Sequence, residues 1–195
     1  MDTSNEKLYG LIKQLDNGEQ FNNDKHKTDY DKLCAFVIEF VQKQMRETYC
    51  LQQVNIPEDK HLEPEYHNLP RCPIFMSTEF MSDNPSQNNG KKALILIQGT
   101  GAVRAGIWAR SVCINESLEK GSMLPFLDKC REKGIAVLVM NPNYTRCPET
   151  GLVIPYAHTM SDHAVFVWEK YILNSGFTEL YIVAHSAGGG CLASI

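Results

Sequence analysis

No two cysteines in this sequence form a CxxC pair, although seven are present, at positions 34, 50, 72, 113, 130, 147 and 191. An odd and scattered set of that kind gives neither a disulfide framework nor a zinc-finger spacing, so the thiols read as reduced, in an intracellular compartment. The opening MDTSNEKLYG lacks the apolar core of a secretory signal. No apolar run approaches the length that spans a bilayer. A basic excess is also missing: 19 Lys and Arg face 23 Asp and Glu, for a formal net charge of −4. That balance argues against a bare electrostatic nucleic-acid binder. No internal repeat is visible. Finally, all six histidines precede Ser186, so none follows the one serine whose setting suggests chemistry.

That serine lies in LYIVAHSAGGG, residues 180–190. Leu180–Val183 is apolar and β-branched, the pattern of a buried strand. It runs into Ala184-His185-Ser186-Ala187-Gly188, and an apolar pattern resumes at Cys191. A serine between strand and helix, with small residues two places either side, has the form of a nucleophile elbow. A phosphate loop is the rival reading, but no Walker lysine follows.

The rest of the chain alternates strand and helix. Residues 1–28 are polar and read as an N-terminal flap, set apart from the body at 29–195. Leu33, Val37, Phe40, Val41 and Met45 recur at helical spacing, predicting a helix over 29–48. Strands are expected at 51–56, 74–76, 93–97 and 135–140, with a disorder-leaning polar stretch at 81–92. One helix is expected near 123–132, stopped by Gly134. A second is expected to be capped at Ser161 and to present Val165, Trp168 and Ile172 to the sheet. His61, His67 and Cys72 share a polar loop, but their intervals match no ligand pattern, so no metal is expected. The alternation predicts an α/β fold with a largely parallel sheet and flanking helices. In the hydrolase topology, the strand leading to Ser186 should lie beside Ala93–Ile97.

Gln98-Gly99-Thr100-Gly101 follows the buried strand 93–97, where α/β sheets place ligand loops. In an elbow hydrolase this loop supplies one oxyanion N–H and the residue after the nucleophile supplies the other. Here the donors would be the backbone amides of Thr100 and Ala187. A dinucleotide loop is the alternative, but Gly99, Gly101 and Gly106 do not make GxGxxG. No cofactor is implied. With no histidine downstream of Ser186, the triad is incomplete on this sequence. The chain reads as the N-terminal part of a larger domain, ending after the elbow strand.

The blocks GTGAVRAGIWARSVCINESLEKGSMLPFL, VLVMNPN, DHAVFVWEKYI and YIVAHSAGG resemble one family in succession. It is the argonaute-binding-protein-two domain family, which includes the animal "family with sequence similarity 172" regulators and a yeast argonaute siRNA chaperone subunit. The resemblance implies an α/β-hydrolase-like fold and regulatory work through protein partners, such as argonaute, chromatin or splicing proteins. No direct nucleic-acid or membrane contact is expected. Localisation is expected in nucleus or cytoplasm, although the lysine-rich insert of the animal relatives has no counterpart in Tyr144–Met160. The expected role is a non-catalytic partner-binding module. The alternatives are a serine esterase using Ser186 and a truncated, non-functional product.

Overall fold

The computed structural model describes residues 27–195, so the flap expected over 1–28 falls almost wholly outside them. Helix α1 (Lys27–Glu47) turns Leu33, Val37, Val41 and Met45 inward, all at most 2% exposed. These are positions at intervals of four along one face, as an amphipathic helix requires. Two short strands follow, β1 (Gln52–Ile56) and β2 (Cys72–Met76). Between β2 and β3 (Lys92–Ile97), the stretch expected to lean to disorder is ordered instead. It forms 3₁₀ turns at Thr78–Met81 and Pro85–Asn88. Buried Asn88 is the reason: its Nδ2 donates to the carbonyls of Glu79 and Ser175 at 2.9 and 2.8 Å.

The segment after β3 holds two short helices that the sequence pattern does not show, α2 (Arg110–Asn115) and α3 (Leu118–Gly121). They are too short to carry a readable apolar period. Helix α4 (Leu124–Lys133) begins with Pro125 in its first turn and stops at Gly134, left-handed at φ 61°. Strand β4 (Ala136–Val139) is buried at every position. Helix α5 (Met160–Val167) continues into a π-helical turn at Trp168–Ile172. Its cap is Thr159 rather than Ser161. The Thr159 hydroxyl accepts from the Asp162 N–H while the Asp162 carboxylate accepts from the Thr159 N–H, a reciprocal capping box. The face expected from Val165 and Trp168 is displaced as well. His163, Ala164, Phe166, Val167, Tyr171 and Ile172 are buried, while Trp168 is half-buried. The widened π turn shifts the register of the last apolar positions.

Last come β5 (Glu179–Ala184) and α6 (Gly188–Leu192). The sheet order is β1-β2-β4-β3-β5. Because β2 is antiparallel to both β1 and β4, and β3 parallels β4 and β5, four strands run one way and β2 alone runs against them. The fold is α/β, as the alternation predicts. β5 lies in register beside β3, with Ile97 opposite Ala184. It pairs with β3 only, among the described residues, so the strand expected to be buried is a half-exposed edge, with Tyr181 45% exposed. Apolar clusters fill both faces. Val54, Ile74, Ile95, Leu138 and Val167 pack on one, and Met45, Phe75, Leu96, Leu127 and Val139 on the other.

Candidate functional site

β3 and β5 deliver their following loops to the same end of the sheet. The ladder extends one residue past β5, where the His185 N–H donates to the Ile97 carbonyl at 3.0 Å. The chain then turns sharply, with Ser186 held at φ 53°. An L-residue in that region costs about 1–2 kcal/mol, so surrounding contacts must impose it. Two glycines do so by letting backbones touch. A Cβ on Gly99 would stand 2.8 Å from the Ser186 Cβ and 2.9 Å from the His185 carbonyl oxygen. On Gly188 it would stand 2.7 Å from the Ile97 oxygen and 2.8 Å from that of Gln98. Each loop therefore uses a missing side chain to seat the other. Turn bonds from Gly188 N–H to the His185 carbonyl (2.9 Å) and from Gly189 N–H to that of Ser186 (3.0 Å) lock the elbow.

Three residues named from the sequence come together here. Ser186 and Thr100 are exposed, and Ala187 is half-buried at the start of α6. Neither the Thr100 nor the Ala187 N–H has an acceptor among the described residues. Two amides without an acceptor thus lie on the two loops that meet at the strained serine. The base is what the described residues do not bring. No histidine among them is hydrogen-bonded to the Ser186 hydroxyl. His185 points elsewhere, its ring 5.9 Å from that of Trp108. His61 is wedged edge-on against Phe166 and Tyr171. His163 is fully buried, and burial pushes its pKa down to about 3.

Two asparagines that carry no sequence motif shape this end of the sheet. Asn141, just past β4, is wholly buried. Its Oδ1 accepts from Gln98 Nε2 at 2.9 Å and from the Ala105 N–H at 3.1 Å, and its Nδ2 donates to the Pro73 carbonyl at 3.0 Å. Its own N–H donates to His163 Nε2 at 3.1 Å. Asn143 Nδ2 donates to the Gly99 carbonyl, fixing the loop that carries Thr100. The available signal was the pair of asparagines in Asn-Pro-Asn, polar residues closing an all-apolar strand. No group of three His, Cys, Asp or Glu side chains that could hold a metal occurs among the described residues, and no helix among them is long and apolar enough to cross a membrane.

The class these features define is an α/β protein whose strained serine elbow packs on a glycine loop at the carboxyl end of its parallel strands. The sequence profile of the Arb2 domain matches residues 9–150, and the chain belongs to that family. The elbow lies beyond that span, but the relatives reach further. A Xenopus tropicalis protein named cotranscriptional regulator ARB2A homolog is 33% identical over 92% of this chain and 54% of its own length. One of the same name from Dictyostelium discoideum is 28% identical over 92% of this chain and 51% of its own length. A FAM172 family protein homolog of Caenorhabditis elegans is 43% identical over 55% of the chain. This chain spans about half the length of the first and second of these relatives. No solved structure matches it.

Proposed function

We propose that this chain is a regulatory module that holds a partner without turning over a substrate. The carrying observation is the elbow itself: two open amides and a strained serine, with no histidine among residues 27–195 bonded to the hydroxyl. A serine hydroxyl is a weak nucleophile until a base within hydrogen-bond reach takes its proton. Amides alone can donate to a carbonyl or carboxylate oxygen, which is binding. The likeness to relatives named cotranscriptional regulators supports a regulatory role. We infer that it is exercised through protein partners, such as argonaute, chromatin or splicing factors, in nucleus or cytoplasm. The net charge of −4 supports protein rather than bare nucleic-acid contact.

A serine esterase is the second reading, favoured by the same φ of 53° at Ser186 and the same open amides of Thr100 and Ala187. It also draws support from the α/β-hydrolase-like arrangement of strand, serine turn and helix. A fluorophosphonate probe separates the two. The expected result is equal background labelling of the 195-residue chain and its Ser186→Ala variant. Labelling that disappears with the hydroxyl would establish the esterase.

A further inference from the structure

Away from the elbow, a groove of about 390 Å³ runs between α1 and the loop 144–149. Arg104 and Tyr144 lie in its wall, and Gln42, Arg46, Glu39 and Glu149 border it. We propose that this groove binds a single carboxylate group, seated on the guanidinium of Arg104. The inference stands apart from the Ser186 elbow and holds whichever way that site reads.

Arg104 is half-buried, and its guanidinium carbon lies 5.3 Å from the centre of the Tyr144 ring. Stacking on an aromatic face fixes the plane of the fork. One nitrogen, Nη1, donates to the carbonyl of Val103 at 2.9 Å. Among the described residues the other N–H groups have no acceptor, and no carboxylate lies within ion-pair distance. They are not sealed from solvent either, and the Arg104 side chain lines the groove. A partly desolvated cation without a counter-ion is unfavourable unless something supplies the charge. Burial pushes its pKa down, the neighbouring Arg110 adds to the push, and the approaching groups that oppose it are a phenol and a thiol rather than an acid. The chain has built a rigid, oriented fork and left its partner to come from outside.

The walls select the charge of that partner. Glu39 and Glu149 are exposed at the groove and pair with no cation among the described residues. The rim carries these two carboxylates against one further cation, Arg46, so its net repulsion is about twice as strong for a phosphate dianion as for a carboxylate monoanion, because the Coulomb energy scales with the ligand's charge. The bidentate match between guanidinium and carboxylate works in the same direction. A glutamate or aspartate side chain of a partner peptide is the source with this chemistry.

The test uses the full chain with N-acetyl-glutamate α-amide as the carboxylate probe, inorganic phosphate as the second arm, and chloride at matched ionic strength as the baseline. The carboxylate probe should shift the Arg104 Nε–H resonance saturably and raise the melting temperature, with phosphate weaker at equal concentration. In Arg104→Met the rise in melting temperature should vanish. Glu149→Gln removes one repelling charge and should tighten binding about 1.5- to 5-fold, the size of one exposed charge interaction. That variant, with the wild-type resonance shift, decides the matter should Arg104→Met fail to fold. The proposal is overturned by an absent or unsaturable shift in the wild-type chain. Tighter binding of phosphate than of the carboxylate probe overturns it too, as does an unchanged response in Arg104→Met.

Discussion

At the carboxyl end of β4, Asn141 has a partner for each of its own polar groups, though Gln98 Oε1 and His163 Nδ1 beside it stay buried without one, whereas one strand over, the ends of β3 and β5 leave amides open. The Asn141 side chain alone binds Gln98, Ala105 and Pro73, tying three separate segments together in a site sealed from water. The neighbouring turn, in contrast, is held by contact between backbones at Gly99 and Gly188, and its Thr100 and Ala187 amides remain free among the described residues. The first arrangement stores stability, since buried polar groups matched in a network are costly to unmatch. The second sacrifices some: a serine at φ 53° is a strained conformation that persists only because its surroundings dictate it. The closed side is the jig, and the open side is what it holds in place.

The comparison breaks most visibly at Asn141. Replacing it with Ala strands Gln98 Nε2, the Ala105 N–H and the Pro73 carbonyl in a dry interior. Each unsatisfied group costs about 1–3 kcal/mol, so a total loss of about 3–5 kcal/mol is expected, allowing for relaxation. Urea unfolding of the variant against wild type measures it. A loss below about 1 kcal/mol would mean that the network is not what secures this end of the sheet.

How far this contrast could be read from the chain depends on the physics behind each half. Of the open half, the strand, sharp turn and helix around Ser186 were legible. Ser186, Thr100 and Ala187 were named because a small-residue turn after an apolar strand has one dominant geometry. The alternation of apolar runs gave the α/β class, and the hydrolase topology expected of an elbow placed β5 beside β3. The closed half was not, because Asn141 acts through partners 36, 43 and 68 positions away, and no local pattern encodes those distances. The same reason hid the order around Asn88, which is anchored to Ser175 from 87 positions away. Helix-register errors came from a subtler source. Ser161 and Thr159 are both acceptable caps in isolation, and the reciprocal bond with Asp162 decides between them.

A second, smaller effect sharpens the closed side through pH. His163 Nε2 accepts from the Asn141 N–H, so the ring must be neutral there, and burial pushes its pKa down to about 3. Unfolded, the same ring titrates near its ordinary value of about 6.5. Below that pH the unfolded chain binds one proton more than the folded chain does, so stability is full above about pH 6.5 and falls as the pH drops towards the folded value. The slope for one group is about 1.4 kcal/mol per pH unit, or about 2 kcal/mol lost by pH 5. His61, whose pKa burial also pushes down, acts in the same direction. Comparison with His163→Gln isolates the term, since Gln can accept the Asn141 N–H and takes up no proton. The variant should show a flatter pH profile between 6.5 and 5. Parallel profiles would mean that His163 is protonated in the fold and the network is not closed.

The smallest effects belong to the open side and test whether it is open at all. The Ser186 hydroxyl has no hydrogen-bond partner among the described residues, so Ser186→Ala removes no bond and should change stability by less than about 0.5 kcal/mol. Ser186→Gly asks about the backbone instead. At φ 53° an L-residue carries a cost of about 1–2 kcal/mol that glycine does not bear. Glycine in turn gives up about 0.5–1 kcal/mol of backbone entropy on ordering. The balance predicts a gain of up to about 1 kcal/mol, which differential scanning calorimetry of the three chains can resolve as a small rise in melting temperature. An Ala variant destabilised by more than about 1 kcal/mol would show that the hydroxyl is bonded after all. The elbow would then be as closed as the Asn141 side, and its strain would serve packing rather than a ligand.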